Sequence, residues 1–376
     1  MSEMSSSRWL YLLPVLCGAA ASSSCSSSHE EPVILSFVPE DCRGGLVELV
    51  RLPSTFTASA DRPTNNLAIE GDTLFMTYAF ASSQSGLPTG GGIVAVPVSG
   101  GLARVVAAAQ NTSQWGTGQF WASGGQIYMQ TDVSILSVPA DSPTPSTVPV
   151  VLSGRLYEAY AHDAEFGYVA QGDHPKGLRV VKVPIAGGTP VVLVDEPLPN
   201  VVVGGIADAG DALLLQVRWH PEPTYDHSTL VRRVWRIPKD GTPRSDVRPD
   251  VEWSDSLTFT QWLAWDGSQI LGSTIIENYV VQSRVAPTGT SAPEQLKLYG
   301  TVATRRGDEI LSLQTVALRG GPTRLLVASS KGDPAGRVVV CGPEGSGTPL
   351  GIVATDSDIY ASYRDDDDVV ITRVVP

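Results

Sequence analysis

One stretch of the sequence decides the fold: Ala122-Ser123-Gly124-Gly125-Gln126-Ile127-Tyr128-Met129-Gln130, followed by Leu136-Ser137-Val138-Pro139. Its first half places a Gly-Gly pair between two apolar runs. That arrangement predicts a β-hairpin, because such turns need residues that tolerate positive φ. The second half predicts a third strand that ends at a proline, since proline has no N–H to donate to a sheet ladder. The stretch therefore predicts three consecutive antiparallel strands.

The same pattern recurs along the chain. Further hairpin turns are predicted at Ile69-Glu70-Gly71-Asp72-Thr73, His162-Asp163-Ala164-Glu165-Phe166, Asp208-Ala209-Gly210-Asp211-Ala212, Trp265-Asp266-Gly267-Ser268-Gln269, Arg306-Gly307-Asp308-Glu309 and Thr355-Asp356-Ser357-Asp358-Ile359. Further third strands end at Pro97, Pro184, Pro238, Pro287 and Pro376. Units of roughly 40–58 residues match the period of a four-stranded β-propeller blade. We therefore expect an all-β, seven-bladed β-propeller, with six blades as the alternative.

The two ends of the repeat region complement each other. The last unit stops after its third strand, at Pro376, whereas residues 45–52 form a spare apolar strand before the first unit. Pairing the two would close the ring and remove two open sheet edges, which otherwise promote aggregation. We expect the N-terminal strand to complete the last blade.

Composition excludes several classes of protein. Only 17% of the 376 residues are charged, against roughly a quarter in an average chain, which disfavours helical bundles and coiled coils. The apolar content of 42% is enough to build a core and argues against disorder. The formal net charge of −13 argues against nucleic acid as a partner, because such partners require basic surfaces.

The N-terminus has the features of a secretory signal. Arg8 precedes an apolar run at residues 9–16, which is too short to span a bilayer, and small residues follow. Cleavage after Ala21 would release a soluble periplasmic or secreted protein. Cleavage before Cys25 would instead expose a cysteine for lipidation. The second reading divides the chain into a signal peptide (1–24), a Ser-rich tether (25–43) and the propeller (44–376).

Two resemblances add to these predictions. The small residues before Cys25 resemble the processing site of bacterial lipoproteins, which implies a lipid anchor on Cys25. Ser26 follows instead of Asp, which by the same resemblance implies the outer membrane of a two-membrane bacterium. The repeat, most clearly at residues 127–139, resembles the TolB-like and YWTD-type propellers of envelope proteins, although the YWTD motif itself is absent. That resemblance implies a fold and not an activity.

The remaining cysteines suggest a crosslink. With Cys17 in the leader and Cys25 lipidated, Cys42 and Cys341 form an even pair in an oxidising compartment, which predicts a structural disulfide. The alternative is a reactive thiol or a metal site. The sequence has no C-x-x-C motif to favour that alternative.

Two sets of polar residues are candidate metal ligands. His174, His220 and His227 could converge over the central channel, and imidazoles are ligands for Zn²⁺ or Mn²⁺. A polar insertion with turn hydrogen bonds is the alternative for this set. The acidic run at residues 365–368 offers oxygen ligands for Ca²⁺, but it is also typical of a solvated loop.

Aromatic residues are the candidate binding surface. On one face of a propeller, loops join the second and third strands of each blade and connect one blade to the next. The aromatic side chains predicted in or beside those loops are Trp115, Trp219, Tyr225, Trp253 and Trp262. They could stack on sugars or contact a protein, although packing between blades is the alternative. Trp121 and Trp265 fit the strand pattern and are expected in the core.

These observations favour non-enzymatic binding or scaffolding in the cell envelope. The partner would be an envelope protein or a glycan, the chain would be a monomer, and no cofactor is expected apart from the divalent metal considered above. The alternative is a metal-dependent lyase or hydrolase that uses the three histidines at the channel mouth, and a third hypothesis is a purely structural part of an envelope complex. The sequence has no G-x-S-x-G motif, P-loop or H-E-x-x-H motif.

Overall fold

The computed structural model describes most of the chain after residue 44. The described residues are 45–53, 66–81, 88–109, 120–130, 135–141, 146–148, 157–173, 177–219, 231–248, 263–276, 279–287, 294–299, 302–317, 323–330, 337–345, 347–366 and 368–375. They all lie within the compact unit Leu35–Pro376. Within these ranges every element is a β-strand, and no helix there has the length and apolar character to cross a membrane.

The strands form seven four-stranded antiparallel sheets, each of which is one blade. Blade 1 contains β2 (Leu67–Glu70), β3 (Thr73–Ala81), β4 (Pro88–Pro97) and β5 (Arg104–Ala109). Blade 2 contains β6 (Phe120–Ser123), β7 (Gln126–Gln130), β8 (Ile135–Pro139) and β9 (Ser146–Val148). Blade 3 contains β10 (Tyr157–His162), β11 (Phe166–Asp173), β12 (Gly177–Pro184) and β13 (Val191–Glu196).

The remaining blades follow the same plan. Blade 4 contains β14 (Val202–Asp208), β15 (Ala212–Trp219), β16 (Val231–Pro238) and β17 (Ser245–Arg248). Blade 5 contains β18 (Leu263–Trp265), β19 (Ile270–Ile276), β20 (Tyr279–Val285) and β21 (Glu294–Tyr299). Blade 6 contains β22 (Val302–Arg306), β23 (Glu309–Ala317), β24 (Thr323–Ser329) and β25 (Arg337–Glu344). Blade 7 contains β26 (Pro349–Ala354), β27 (Ile359–Asp365), β28 (Asp368–Val374) and β1 (Leu46–Leu52). The prediction of seven blades is confirmed, and six is wrong.

The N-terminal strand closes the ring, as predicted. β1 pairs antiparallel with β28, with Leu52 opposite Val369 at one end of the ladder. The Arg51 guanidinium donates hydrogen bonds to Glu48 within β1 and to Asp365 of the β27–β28 hairpin, both at 2.9 Å. Asp365, in the acidic run, thus takes part in ring closure through an ion pair.

The predicted turn chemistry is present in the blades. Gly124 and Gly125 connect β6 to β7 with φ of 62° and 75°, a backbone region that favours glycine. Pro97, Pro139, Pro184 and Pro238 end the third strands of blades 1 to 4. The sequence repeat therefore corresponds to the structural repeat.

The hydrophobic core lies between the blades. The described apolar residues form seven clusters, and each cluster spans one pair of neighbouring blades. The cluster between blades 3 and 4 includes the fully buried Tyr168 and Trp235, and the cluster between blades 7 and 1 includes Leu52 of the closing strand. Every blade therefore packs against both of its neighbours in the ring.

The order of strands within each blade gives the ring two faces. The turn face carries the turns between first and second strands and between third and fourth strands. The loop face carries the loops between second and third strands and the connections between blades. The sequence predicts the candidate aromatic and histidine residues on the loop face.

Candidate functional site

The turn face contains a polar cleft of about 380 Å³ between blades 3 and 4. Blade 3 contributes the turn after β10, strand β11 and strand β12, whereas blade 4 contributes the turns after β14 and β16. The residues that line the cleft are Asp163, Ala164, Glu165, Phe166, Tyr168, Lys182, Gly210 and Lys239.

An ion cluster at this cleft joins the two blades. Lys239 Nζ of blade 4 lies 2.7 Å from Asp163 Oδ2 of blade 3 and 2.8 Å from Asp208 Oδ1 of its own blade. The Tyr168 hydroxyl donates a 2.6 Å hydrogen bond to the same Asp163 Oδ2. The Lys239 side chain is only 12% exposed. One ammonium group thus neutralises two carboxylates across a blade interface.

The hairpin turns hold these carboxylates in place. Asp163 Oδ1 accepts hydrogen bonds from the backbone N–H groups of Glu165 and Phe166, at 2.9 and 2.8 Å. Asp208 Oδ1 accepts one from the N–H of Gly210 at 2.8 Å. Aspartate is favoured in such turns because its side chain bonds the backbone two or three residues on. The residue that forms each turn therefore also supplies a carboxylate to the ion cluster.

The cluster fixes the charge of its members. Burial alone would raise the pKa of Asp163, but hydrogen bonds from Lys239, Tyr168 and the turn backbone hold it well below its usual range. Burial would lower the pKa of Lys239, but its two carboxylate partners raise it. Burial and the hydrogen bond to Asp163 raise the pKa of Tyr168. All three groups keep a single protonation state across neutral pH.

Two further charges border the cleft with fewer contacts. Lys182 Nζ lies 3.9 Å from the centroid of the Phe166 ring and donates one 3.2 Å hydrogen bond to the carbonyl of Lys239. An ammonium group has three N–H donors, so two have no partner among the described residues. Glu165 is exposed, and its carboxylate has no hydrogen-bond or ion-pair partner among the described residues. The cleft thus offers one cation and one anion to solvent.

An aromatic stack lies beside the cleft, between blades 2 and 3. The centroid of the Trp121 ring lies 4.9 Å from that of Tyr128, 4.0 Å from that of Tyr160 and 5.4 Å from that of His162. The planes of these rings are inclined to the Trp121 plane by about 20°. Burial raises the pKa of Tyr160. His162 is at the solvent-exposed end of the stack, and partial removal of water from its ring lowers the pKa of the imidazole. His162 is therefore neutral at pH 7 and directly precedes Asp163 of the ion cluster.

Metal-binding geometry is absent from the described ranges. No group of three or more histidine, cysteine, aspartate or glutamate side chains there could hold a metal ion. The two aspartates of the ion cluster are both occupied by Lys239.

Most residues predicted to be functional lie outside the described residues: Trp115, Tyr225, Trp253, Trp262, His174, His220, His227, Cys25 and Cys42. Their roles stay predictions. Trp219 ends β15, is half-buried and packs on the core between blades 3 and 4, with its ring 6.0 Å from Trp235. Cys341 is buried on β25, the outer strand of blade 6.

No local sequence pattern indicates the cleft. Lys239 and Asp163 are 76 positions apart and belong to different blades, and Asp163 and Asp208 are fully explained by their turns. A weak indication of an ion pair is the position of Lys239 directly after Pro238, because the turn face that this places it on also carries Asp163 and Asp208.

Comparisons with known proteins identify the fold only. No family model matches the chain, and neither does any curated protein. The β-propeller domain of the Trilobed protease from Pyrococcus furiosus is 10% identical, with a TM-score of 0.53 over 82% of this chain and 91% of that chain. Polysaccharide lyase Uly1 is 11% identical, with a TM-score of 0.52 over 84% of this chain and 90% of that one. A puromycin hydrolase is 13% identical, with a TM-score of 0.52 over 85% of this chain and 53% of its own length. At these identities the shared feature is the β-propeller.

Proposed function

We propose that this chain is a non-enzymatic binding or scaffolding propeller of the bacterial cell envelope. The observation that supports the proposal is the state of the cleft on the turn face. Its Asp163, Lys239 and Tyr168 side chains are bonded to one another, and their pKa values are moved away from neutrality. General acid–base catalysis needs a group that exchanges protons near the working pH. The cluster is therefore a rigid charged wall without a proton-exchanging group, which supports a binding role for the cleft that it borders.

The loop face would provide a second contact surface, through Trp115, Trp219, Tyr225, Trp253 and Trp262. Aromatic side chains on a rigid scaffold make large contact areas at low entropic cost. The partner would be an envelope protein or a glycan. We expect Trp115→Ala and Trp253→Ala to reduce chemical crosslinking of the full chain to envelope components, whereas a surface variant on the turn face, Asp240→Asn, should not. Unchanged crosslinking in both tryptophan variants would contradict this surface.

A lipid on Cys25 would place the ring at the outer membrane. Removal of residues 1–24 would leave the tether and a modified cysteine at the new N-terminus. The test is fractionation of cells that produce the wild-type chain or Cys25→Ser. We expect the wild type in the outer-membrane fraction and the variant in the soluble fraction. A wild-type chain that is soluble would favour cleavage after Ala21 instead.

A disulfide between Cys42 and Cys341 would reinforce ring closure. A Cβ at position 45 would lie 3.3 Å from Cγ1 of Val340, the neighbour of Cys341 on β25. Three residues span at most about 10 Å, a length that would allow the proposed bridge to Cys341. The bridge would join the segment before β1 to blade 6, whereas β1 itself pairs within blade 7.

A metal-dependent lyase or hydrolase is the competing function, because hydrolase and lyase structures share this fold. The deciding experiment is elemental analysis of the purified full chain and of His220→Ala. The binding proposal predicts no transition metal near one equivalent in either protein. A near-stoichiometric metal that is lost in the variant would overturn the proposal and assign the channel mouth as a catalytic site.

A further inference from the structure

The cleft between blades 3 and 4 has a charge pattern that defines a ligand class, and this inference rests on the proposed binding function. We propose that the cleft binds a small zwitterion, an α-amino acid or a short peptide. The ligand carboxylate would contact Lys182, and its ammonium group would contact Glu165.

The ion cluster itself leaves little capacity for a ligand. Asp163 Oδ1 accepts two backbone N–H groups, and its Oδ2 accepts the Tyr168 hydroxyl and Lys239. Lys239 uses two of its donors on carboxylates, and its ammonium lies 4.9 Å from the Tyr168 ring centroid. A ligand that broke any of these contacts would leave a partly buried charge without a partner, which is unfavourable. The cluster therefore forms a fixed wall of the cleft.

The available charges are those of Lys182 and Glu165. Within the part of the chain that the structure describes, Lys182 keeps two unused N–H donors beside the Phe166 ring. The Glu165 carboxylate is exposed. A simple anion would be attracted by Lys182 but repelled by Glu165. A simple cation would be attracted by Glu165 but repelled by Lys182. A zwitterion pairs with both and leaves neither charge opposed.

The size of the cleft limits the ligand. A volume of about 380 Å³ is at the lower end of the range for small-molecule sites, roughly 300–1,000 Å³. The Phe166 ring adds an apolar surface next to Lys182. A single amino acid or a two- to three-residue peptide suits these dimensions.

The test is isothermal titration of the full chain with glycylglycine, with glycine and triglycine as further probes. We expect saturable binding of at least one probe, and the rank of the three distinguishes a free amino acid from a peptide. N-acetylglycylglycine lacks the ammonium group and glycylglycine amide lacks the carboxylate. We expect each to bind about tenfold more weakly than glycylglycine or worse.

Variants locate the site. Lys182→Gln and Glu165→Gln should each weaken binding of the favoured probe about tenfold, the first by loss of the carboxylate contact and the second by loss of the ammonium contact. Arg179→Gln and Asp195→Asn are matched controls, because that exposed pair lies on blade 3 outside the cleft lining. The controls should bind as the wild type does.

Several results would overturn the inference. The first is the absence of saturable binding of any probe up to about 10 mM, a concentration that detects even millimolar affinity. The second is that the blocked peptides bind as tightly as glycylglycine. The third is that Lys182→Gln binds the favoured probe as tightly as the wild type does. Such a failure would leave the loop-face crosslinking result unchanged, so it is distinguishable from failure of the proposed binding function.

Discussion

Replacement of Lys239 by methionine removes the cation that joins blades 3 and 4. The variant loses two charge-assisted hydrogen bonds, at 2.7 and 2.8 Å, each worth about 1.5–3 kcal/mol in a shielded site. The carboxylates of Asp163 and Asp208 are 27% and 29% exposed, so water recovers part of that loss. We expect Lys239→Met to lower the free energy of unfolding by about 2–4 kcal/mol, since two carboxylates remain without their cation.

Urea denaturation at pH 7 measures this loss. Arg236→Met is the matched control, because the Arg236–Asp211 ion pair is 38% and 80% exposed and exposed pairs contribute about 0–1 kcal/mol. Equal destabilisation by the two variants would refute the reasoning that burial strengthens the inter-blade cluster.

The pH dependence provides a second check on the same variant. The pKa of Asp163 is lower in the folded chain than in the unfolded chain, so its contribution to stability is present above about pH 4 and is lost as the pH falls through the folded pKa. In Lys239→Met the part of that contribution that comes from Lys239 is lost, and protonation of Asp163 relieves its repulsion by Asp208. The gap in stability between wild type and variant should therefore narrow below about pH 4. A gap that is constant with pH would contradict the assignment.

Three further predictions concern the ring. Gly351→Ala should cost about 1–3 kcal/mol in urea denaturation, because its Cβ would lie 2.5 Å from Asn66 Oδ1 and 2.8 Å from Leu67 Cβ. The pKa of His162 is lower in the folded chain than in the unfolded chain, so the unfolded chain binds a proton first and the free energy of unfolding should decrease as the pH falls below about 6.5. His162→Phe should remove that decrease from a plot of stability against pH. Cys341→Ser should lower the free energy of unfolding by about 2–4 kcal/mol and add one free thiol to a thiol titration of the unfolded, non-reduced chain; an unchanged titration would contradict the bridge.

The fold was predictable because each blade repeats local chemistry. The Gly-Gly turn before Ile127 and the strand end at Pro139 are local signals, and they correspond to the β6–β7 hairpin and the end of β8. Ring closure was predictable from a count of strands, since one strand was missing at the C-terminus and one was spare at the N-terminus. The ion pair between Arg51 and Asp365 was not, because it joins residues 314 positions apart.

The cleft was not predictable for a physical reason. Its charges come from turns of different blades, and the packing of one blade on the next brings them together. Asp163 and Asp208 have a complete explanation as turn residues, so nothing in their local sequence indicates a second role. Trp121 was expected in the core and is buried there, but its stacking on Tyr160 and His162 depends on the packing between blades 2 and 3.

Backbone hydrogen exchange of the intact chain, followed by mass spectrometry, is the measurement that most directly tests the closed ring. The account rests on a ring held by the β1–β28 pairing, which gives both faces their rigidity. Amides of β28 should exchange as slowly as those of the inner strands β11 and β15, which also pair on both sides. Amides of β1 should exchange as slowly as those of β13 and β17, the outer strands of blades 3 and 4, because each of these strands pairs on one side only. Exchange of β1 at the rate of the exposed turn residues Gly71 and Asp72 would contradict a closed seven-bladed ring.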